Sequence, residues 1–262
     1  MKKNLKRVKK LKSRKHRQES DRFIVEGIRN TEEALKSSVR VESILYTKKL
    51  LSTDRGKELH AKIKKTRIEL KCITDLELAK LCSAATPQGV LAVCEKLQHD
   101  LFSLMRQIKS PIVVLDGIQD PGNLGTIIRT ADAAGAGAII AGKGTVDMYN
   151  PKVLSASMGS IMHIPVVYVE DLAGALNALK LHHYRVIACD AHGSKKYTEC
   201  FVNEPLAIVL GNEGSGLHKE IFAMADEVVS IPIEGRAESL NVGVTCGIIL
   251  YHMISTRGGS SG

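Results

Sequence analysis

The feature that most constrains this chain is a series of short, continuously apolar runs after residue 111. They fall at 112–115, 138–141, 165–169, 186–189, 207–210 and 228–233. Helical patterns at 124–134, 155–161, 172–181, 217–224 and 240–254 separate most of them. A strand that is apolar along its whole length needs burial on both faces. Alternation of such strands with helices therefore predicts a parallel sheet covered on two sides. Sheets of this kind bind ligands at the carboxyl ends of their strands. That rule directs attention to the loops at 116–123, 211–216 and 234–239.

The preceding block reads as a smaller α/β unit over 21–97. Strands are expected at 23–25, 41–47, 68–73 and 89–94, with helices at 30–35 and 54–65. Thr74 and Glu77 have capping-box spacing, so a further helix should start there. Residues 98–110 read as a linker with a short helix, 111–257 as the second domain, and 258–262 as a flexible tail. There is no repeat of solenoid length.

Charge is unevenly placed. Residues 2–17 hold ten Lys/Arg and no acid, whereas the rest of the chain holds 27 Lys/Arg against 28 Asp/Glu. The formal net charge of +9 is thus that of a basic arm, residues 1–20, on a nearly neutral body. Such an arm suits a phosphate backbone, which it binds by releasing counterions; it also reads as a solvated tail. The six cysteines (Cys72, Cys82, Cys94, Cys189, Cys200 and Cys246) form no C-x-x-C pair. They read as buried thiols of a reducing compartment, with no zinc site. No apolar run reaches membrane-spanning length, and no hydrophobic segment follows the N-terminal charges. A cytoplasmic protein with no membrane partner is expected.

Each of the three loops runs from a strand into a helix. The first contains Asp120-Pro121-Gly122-Asn123, with Asn123 placed as a helix cap and Arg129 further along the helix. The second, Gly211-Asn212-Glu213-Gly214-Ser215-Gly216, has three glycines that let backbone amides approach a ligand closely. Its glycine order excludes the dinucleotide fingerprint, and no phosphate-binding P-loop exists. The third runs from Ile231-Pro232-Ile233 to Ser239-Leu240-Asn241, with Ser239 placed as a cap. Taken singly, each loop also reads as a well-made turn. The nine histidines are scattered and form no nucleophile–base set.

Taken together and in this order, the loops resemble the three motifs of the SpoU (TrmH-like) family of RNA ribose methyltransferases, in the SPOUT superfamily. The motif residues are Asp120-Pro121-Gly122-Asn123-Leu124-Gly125 with Arg129, Leu210-Gly211-Asn212-Glu213-Gly214 with Gly216, and Ile231-Pro232-Ile233 with Ser239-Leu240-Asn241. The block with Phe23-Ile24-Val25-Glu26-Gly27 resembles the substrate-binding domain found before it in that family.

The resemblance implies a sheet with a deep trefoil knot at its C-terminal end, dimerisation through the knotted region, and S-adenosylmethionine as cofactor. It implies cofactor contacts from Leu210, Gly211, Ile231, Ile233, Ser239 and Leu240. It implies a catalytic surface of Asn123, Arg129, Glu213, Ser239 and Asn241, with no metal. The expected reaction is methylation of a ribose 2′-hydroxyl, with 23S ribosomal RNA as the expected substrate. A tRNA substrate, a base-nitrogen acceptor, or an inactive RNA- or ribosome-binding factor of the same fold are the competing readings. A ribose hydroxyl must lose its proton as it attacks the methyl group. Arginine, with a pKa above about 12, suits charge stabilisation better than proton acceptance.

Overall fold

The computed structural model describes residues 2–108, 110–199 and 205–257. The chain forms two compact units: Met1–Leu97 with Asp147–His163, and Gln98–Val146 with Ile164–Gly262. The expected tail, 258–262, and Cys200 lie outside the described residues.

The first unit begins with helices α1 (Lys2–Lys10) and α2 (Arg14–Ser20), followed by strand β1 (Arg22–Glu26) and helix α3 (Ile28–Lys36). Strand β2 (Val41–Tyr46), α4 (Asp54–Lys64), β3 (Glu69–Cys72), α5 (Asp75–Leu81) and β4 (Val90–Glu95) complete its N-terminal part. The sheet order is β1-β4-β2-β3, antiparallel except for the parallel β2–β3 pair. Thr74 and Glu77 form the expected capping box at α5.

The N-terminal arm is structured, which corrects its reading as a solvated tail. Leu5 and Val8 lie on one side of α1, and Leu11 continues the spacing in the turn that follows it. Val8 and Leu11 are buried in a core with Ile24, Leu45, Leu78 and Leu91, and Leu5 packs against it. Apolar burial, not charge, therefore fixes the helix. Arg17 is only 3% exposed. Its guanidinium donates to Asp147 Oδ2 at 2.6 and 2.9 Å, and to the carbonyls of Leu11 and Lys12 at 2.9 and 2.7 Å. A buried guanidinium needs this many acceptors to offset lost hydration. Arg7 lies 3.9 Å from Glu42, and Lys15 lies 4.0 Å from Glu19. Lys6, Lys9, Lys10, Lys12 and Arg14 remain exposed.

The second unit contains α6 (Leu101–Gln107), β5 (Ile112–Asp116), α7 (Pro121–Ala133) and β6 (Ala138–Ala141). The chain then contributes 147–163, with α8 (Pro151–Ala156), to the first unit. The helix expected at 155–161 is displaced to α8 because Asn150 caps Lys152 and Pro151 opens the first turn. Next come β7 (Val166–Tyr168), α9 (Leu172–Leu181), β8 (Arg185–Cys189), β9 (Lys195–Lys196), β10 (Leu206–Gly211), α10 (Lys219–Ala223), β11 (Glu227–Ser230) and α11 (Val242–Arg257). All pairings in this seven-stranded sheet are parallel, in the order β7-β6-β5-β10-β8-β11-β9. Every residue of β5 and β6 is buried, as the continuous apolar runs require.

Ile112, Val114, Ile140 and Val209 share a core with Leu172, Leu176, Leu179 of α9 and Ile221 of α10. Helices α7 and α11 pack on each other and against β6 and β10. Gly243 permits that approach: a Cβ there would lie 2.9 Å from Thr126 Cγ2.

Cys82, Cys94 and Cys246 are buried, but Cys72 is exposed, which corrects its expected burial at the end of the short strand β3. Among the described residues there is no cluster of potential metal ligands. No described helix is long and apolar enough to cross a membrane.

Leu11→Ala should destabilise the protein by about 2–4 kcal/mol, the usual range for a buried leucine. Lys10→Ala, at the neighbouring exposed position that ends α1, should leave stability unchanged. Thermal unfolding of both variants checks this; equal melting temperatures would show that α1 is not part of the core.

Candidate active site

The strand order places the carboxyl ends of β5, β8, β10 and β11 side by side, although these strands are far apart in sequence. Their loops surround a cavity of about 500 Å3. Leu210, Gly211, Ile231, Ile233, Ser239 and Leu240, the six residues expected to hold a cofactor, all line it. Asn123, Glu213 and Asn241 line it as well. Arg129 does not; it is exposed on α7.

Glu213 ties the loops together. One carboxylate oxygen accepts the Gln119 amide at 3.2 Å. The other accepts the Asp120 amide at 3.2 Å and Asn123 Nδ2 at 3.0 Å. Because a carboxylate only accepts, Asn123 must present its NH2 group to Glu213 and its Oδ1 away from it. That Oδ1 accepts Asn241 Nδ2 at 2.8 Å. Asn241 Oδ1 in turn accepts the Gly243 and Val244 amides at 2.9 and 3.3 Å. The carboxylate thereby sets the orientation of two amides and the start of α11.

Two capping assignments change. Asp120, not Asn123, caps α7: its Oδ1 accepts the Asn123 amide at 2.8 Å. Pro121 at the first helical position moves the start upstream and leaves the Asn123 side chain free for Glu213. Asn241, not Ser239, caps α11, which begins at Val242 rather than Leu240.

The glycine-rich loop folds on itself. Asn212 and Gly216 exchange backbone hydrogen bonds of 2.9 and 3.0 Å. A Cβ at Gly211 would lie 2.5 Å from the Gly216 carbonyl carbon, so this close approach requires glycine. Asn212 donates from Nδ2 to the Gly117 carbonyl at 2.7 Å, and its Oδ1 accepts the Gly214 and Ser215 amides.

Burial pushes the Glu213 carboxyl up, but hydrogen bonds from Asn123 and the backbone amides outweigh it. Its pKa therefore lies below the ordinary carboxylate range. Sequence reasoning missed Cys189, Asp190, Ala191 and His192, which form another wall. The available signal was the carboxyl-end rule applied to the 186–189 run. It also missed His218, whose Nδ1 lies 2.8 Å from Asp116 Oδ1 while its amide donates to Oδ2 at 2.7 Å.

The SpoU rRNA Methylase family model matches residues 110–251, over half of the chain. The chain belongs to this family. It is a methyltransferase with the SPOUT-type parallel-sheet domain expected from its three motifs. The MRM3-like substrate binding domain matches residues 2–92, which include the basic arm.

Among curated relatives, the chain is 35% identical over 245 residues to the Bacillus subtilis 23S rRNA (guanosine(2553)-2′-O)-methyltransferase RlmP, covering 94% of this chain and 93% of the relative. Among solved structures, it is similar to the SpoU methyltransferase AviRb of Streptomyces viridochromogenes in complex with AdoMet. The identity is 28%, with 97% of each chain covered and a TM-score of 0.88. It is also similar to the AdoMet-bound rRNA methyltransferase of Sinorhizobium meliloti, at 29% identity and a TM-score of 0.86, covering 99% of this chain and 95% of that one.

With its pKa depressed, Glu213 contributes loop stability above the unfolded carboxylate value of about 4.3 and loses it as pH falls through the lowered folded value. It stays ionised throughout the neutral range. Glu213→Gln should lower turnover about tenfold or more, as loss of a charge-assisted bond implies. The ratio of wild-type to variant turnover should be constant from pH 6 to 9. A ratio that changes with pH across that range would make Glu213 a titrating participant in the reaction.

Proposed function

We propose that this methyltransferase transfers a methyl group from S-adenosylmethionine to a ribose 2′-hydroxyl of large-subunit ribosomal RNA. The observation that carries the reading is the joining of three distant loops, through Glu213, Asn123 and Asn241, around one cavity. The lining fits the cofactor. Leu210, Ile231, Ile233 and Leu240 supply an apolar wall for the base, while Ser239 and exposed backbone groups supply polar contacts. S-adenosylmethionine supplies an electrophilic methyl group on sulfur when bound.

The residues of the chain align and stabilise. Asn123 and Asn241, held by Glu213, fix the cavity rim against which the ribose is placed, and alignment of reacting groups supplies much of the rate. Arg129 stabilises negative charge developing on the ribose oxygen or holds the adjacent phosphate. Its exposed position outside the cavity suits a residue that meets RNA rather than cofactor. The intact carboxylate–amide chain favours an active enzyme over an inactive binding factor. The ribosomal substrate is favoured over tRNA by the separate first unit with its exposed cations, and by the activity named for the Bacillus relative. The reading includes a cytoplasmic enzyme.

The experiment is methyl transfer to ribosomal RNA from cells lacking the gene, followed by digestion and identification of the modified nucleoside. A 2′-O-methylnucleoside is expected; a base-methylated one would overturn the reading. In the same assay Arg129→Ala should retain less than a tenth of wild-type turnover. Its S-adenosylmethionine affinity should change less than twofold.

The reading includes a homodimer and the family's trefoil knot, formed by the 211–216 and 231–241 loops with α11. Leu240, Val244, Tyr251 and Ile254 are exposed at 37, 50, 53 and 42%. The spacing of Val244, Tyr251 and Ile254 puts them along one side of α11, opposite the buried Cys246, Ile249, Leu250 and Met253, and Leu240 lies just before the helix. A second copy covers this stripe. Light scattering at micromolar concentration should give twice the mass of one chain, and Tyr251→Asp should shift it toward one. A wild-type monomer would contradict the dimer.

A further inference from the structure

The cavity enclosed by the three loops is uneven in charge. Its described lining residues include three carboxylates, Asp190, Glu213 and Glu238, and no Lys or Arg; His192 is the one basic side chain among them. Glu213 is held by neutral donors, which orient its charge without cancelling it. Glu238 is exposed and, like Asp190, has no ion-pair partner among the described residues. Asp190 follows the end of β8, where the pairing of Cys189 with Leu210 sets it beside Gly211. Its backbone is tied on both sides: the amide donates to the Val229 carbonyl at 3.0 Å, and the carbonyl accepts the Gly193 amide at 3.1 Å. The side chain is oriented as well, because Oδ1 accepts the His192 amide at 2.8 Å. Oδ2 turns toward the glycine-rich loop and would lie 3.8 Å from a Cβ on Gly216. Gly216 has no side chain to cover that oxygen, and its φ of +67° suits glycine. Asp190 Oδ2 accepts no hydrogen bond among the described residues.

We propose that this acidic lining reads the charge of the methyl donor, and that Asp190 is the residue that separates S-adenosylmethionine from its demethylated product, S-adenosylhomocysteine. The donor carries a sulfonium, an ammonium and a carboxylate, and so has a net positive charge. Methyl transfer returns the S–C bonding pair to sulfur and leaves a thioether, so the product has no net charge. The two molecules share their base, ribose and amino-acid groups; apart from the methyl group itself, charge is what tells them apart. Where water is partly excluded, a carboxylate favours a cation from beyond hydrogen-bond reach, so direct contact with sulfur is not required. Asp190 suits this role because one of its oxygens is uncommitted and because it stands off the Glu213–Asn123–Asn241 chain that serves the ribose. The inference rests on the reading of this cavity as the cofactor site, which the AdoMet-bound relatives support. It adds that the site weakens its hold on the cofactor once the methyl group has gone, so the product is the poorer ligand.

The test is calorimetry on the full-length protein with three ligands: S-adenosylmethionine, S-adenosylhomocysteine and sinefungin, an analogue with a protonated amine in place of the methylsulfonium. Wild-type protein should bind the two cationic ligands at least about fivefold more tightly than S-adenosylhomocysteine, the scale of one carboxylate–cation interaction in a partly wet cavity. Asp190→Asn keeps the shape and the His192 bond but removes the charge. It should weaken both cationic ligands by about fivefold and S-adenosylhomocysteine by less than about twofold. Glu238→Gln, at an exposed position, should narrow the same preference by a smaller factor, because salt and water screen it more. Thermal unfolding confirms that each variant is folded; if Asp190→Asn is not, the wild-type comparison and Glu238→Gln still decide. Equal wild-type affinity for all three ligands overturns the proposal. So does an equal loss on all three in Asp190→Asn, which would give Asp190 a group common to them, such as the ribose or the ammonium. A preference for S-adenosylmethionine that sinefungin does not share would make the methyl group, not the charge, the feature recognised, and overturns it too. Methyl transfer to ribosomal RNA is measured on the same preparation. If the wild type methylates RNA yet binds donor and product equally, this inference fails alone; if it binds none of the three ligands, the functional reading fails as well.

Discussion

The site depends on one acceptor, the Glu213 carboxylate, and on the direction it imposes. Two amide side chains in contact have several ways to pair. A carboxylate at one end leaves a single arrangement: Asn123 donates to Glu213 and accepts from Asn241, and Asn241 accepts from the first turn of α11. Residues 90 and 118 positions apart in sequence become one chain of hydrogen bonds. The lowered pKa of Glu213 follows from the same bonds and keeps the direction fixed at neutral pH. Such pre-arranged polar groups suit a reaction in which alignment matters more than acid–base strength.

The sheet makes that chain of bonds possible. Strand β10 lies between β5 and β8, so the glycine-rich loop emerges next to the start of α7. Helix α11 then packs on α7 through Gly243 beside Thr126, which sets Asn241 opposite Asn123. Apolar burial positions the strands, close helix contact positions the loops, and hydrogen bonds to a charge fix the last ångströms. The first unit has a comparable tie in Arg17, which joins the α1–α2 turn to Asp147 in a segment reached only after β6.

Much of this was legible in the sequence because it rests on periodicity or on local chemistry. Continuous apolar runs gave the strands of the parallel sheet, and Thr74 with Glu77 gave the start of α5. The motif resemblance led to residues that line one cavity, with Arg129 outside it. What escaped was chiefly non-local. Ten cations masked the Leu5, Val8 and Leu11 spacing, so a packed segment read only as a basic arm for phosphates or a solvated tail. The role of Asn123 depends on a carboxylate 90 residues away, and without it the residue reads as a cap. The wall at 189–192 lies after a strand whose place in the sheet order no local pattern reveals.

The central claim, that Glu213 acts on Asn241 through Asn123, is tested most directly by a double-mutant cycle on turnover. Glu213 and Asn241 share no direct hydrogen bond, so independent roles would make their effects add. Glu213→Gln, Asn241→Ala and the double variant should instead be strongly non-additive, with a coupling of about 1 kcal/mol or more. That coupling should vanish when the cycle is repeated in an Asn123→Ala background. Additivity within about 0.5 kcal/mol in the wild-type background would show that the three loops act separately and would contradict the account.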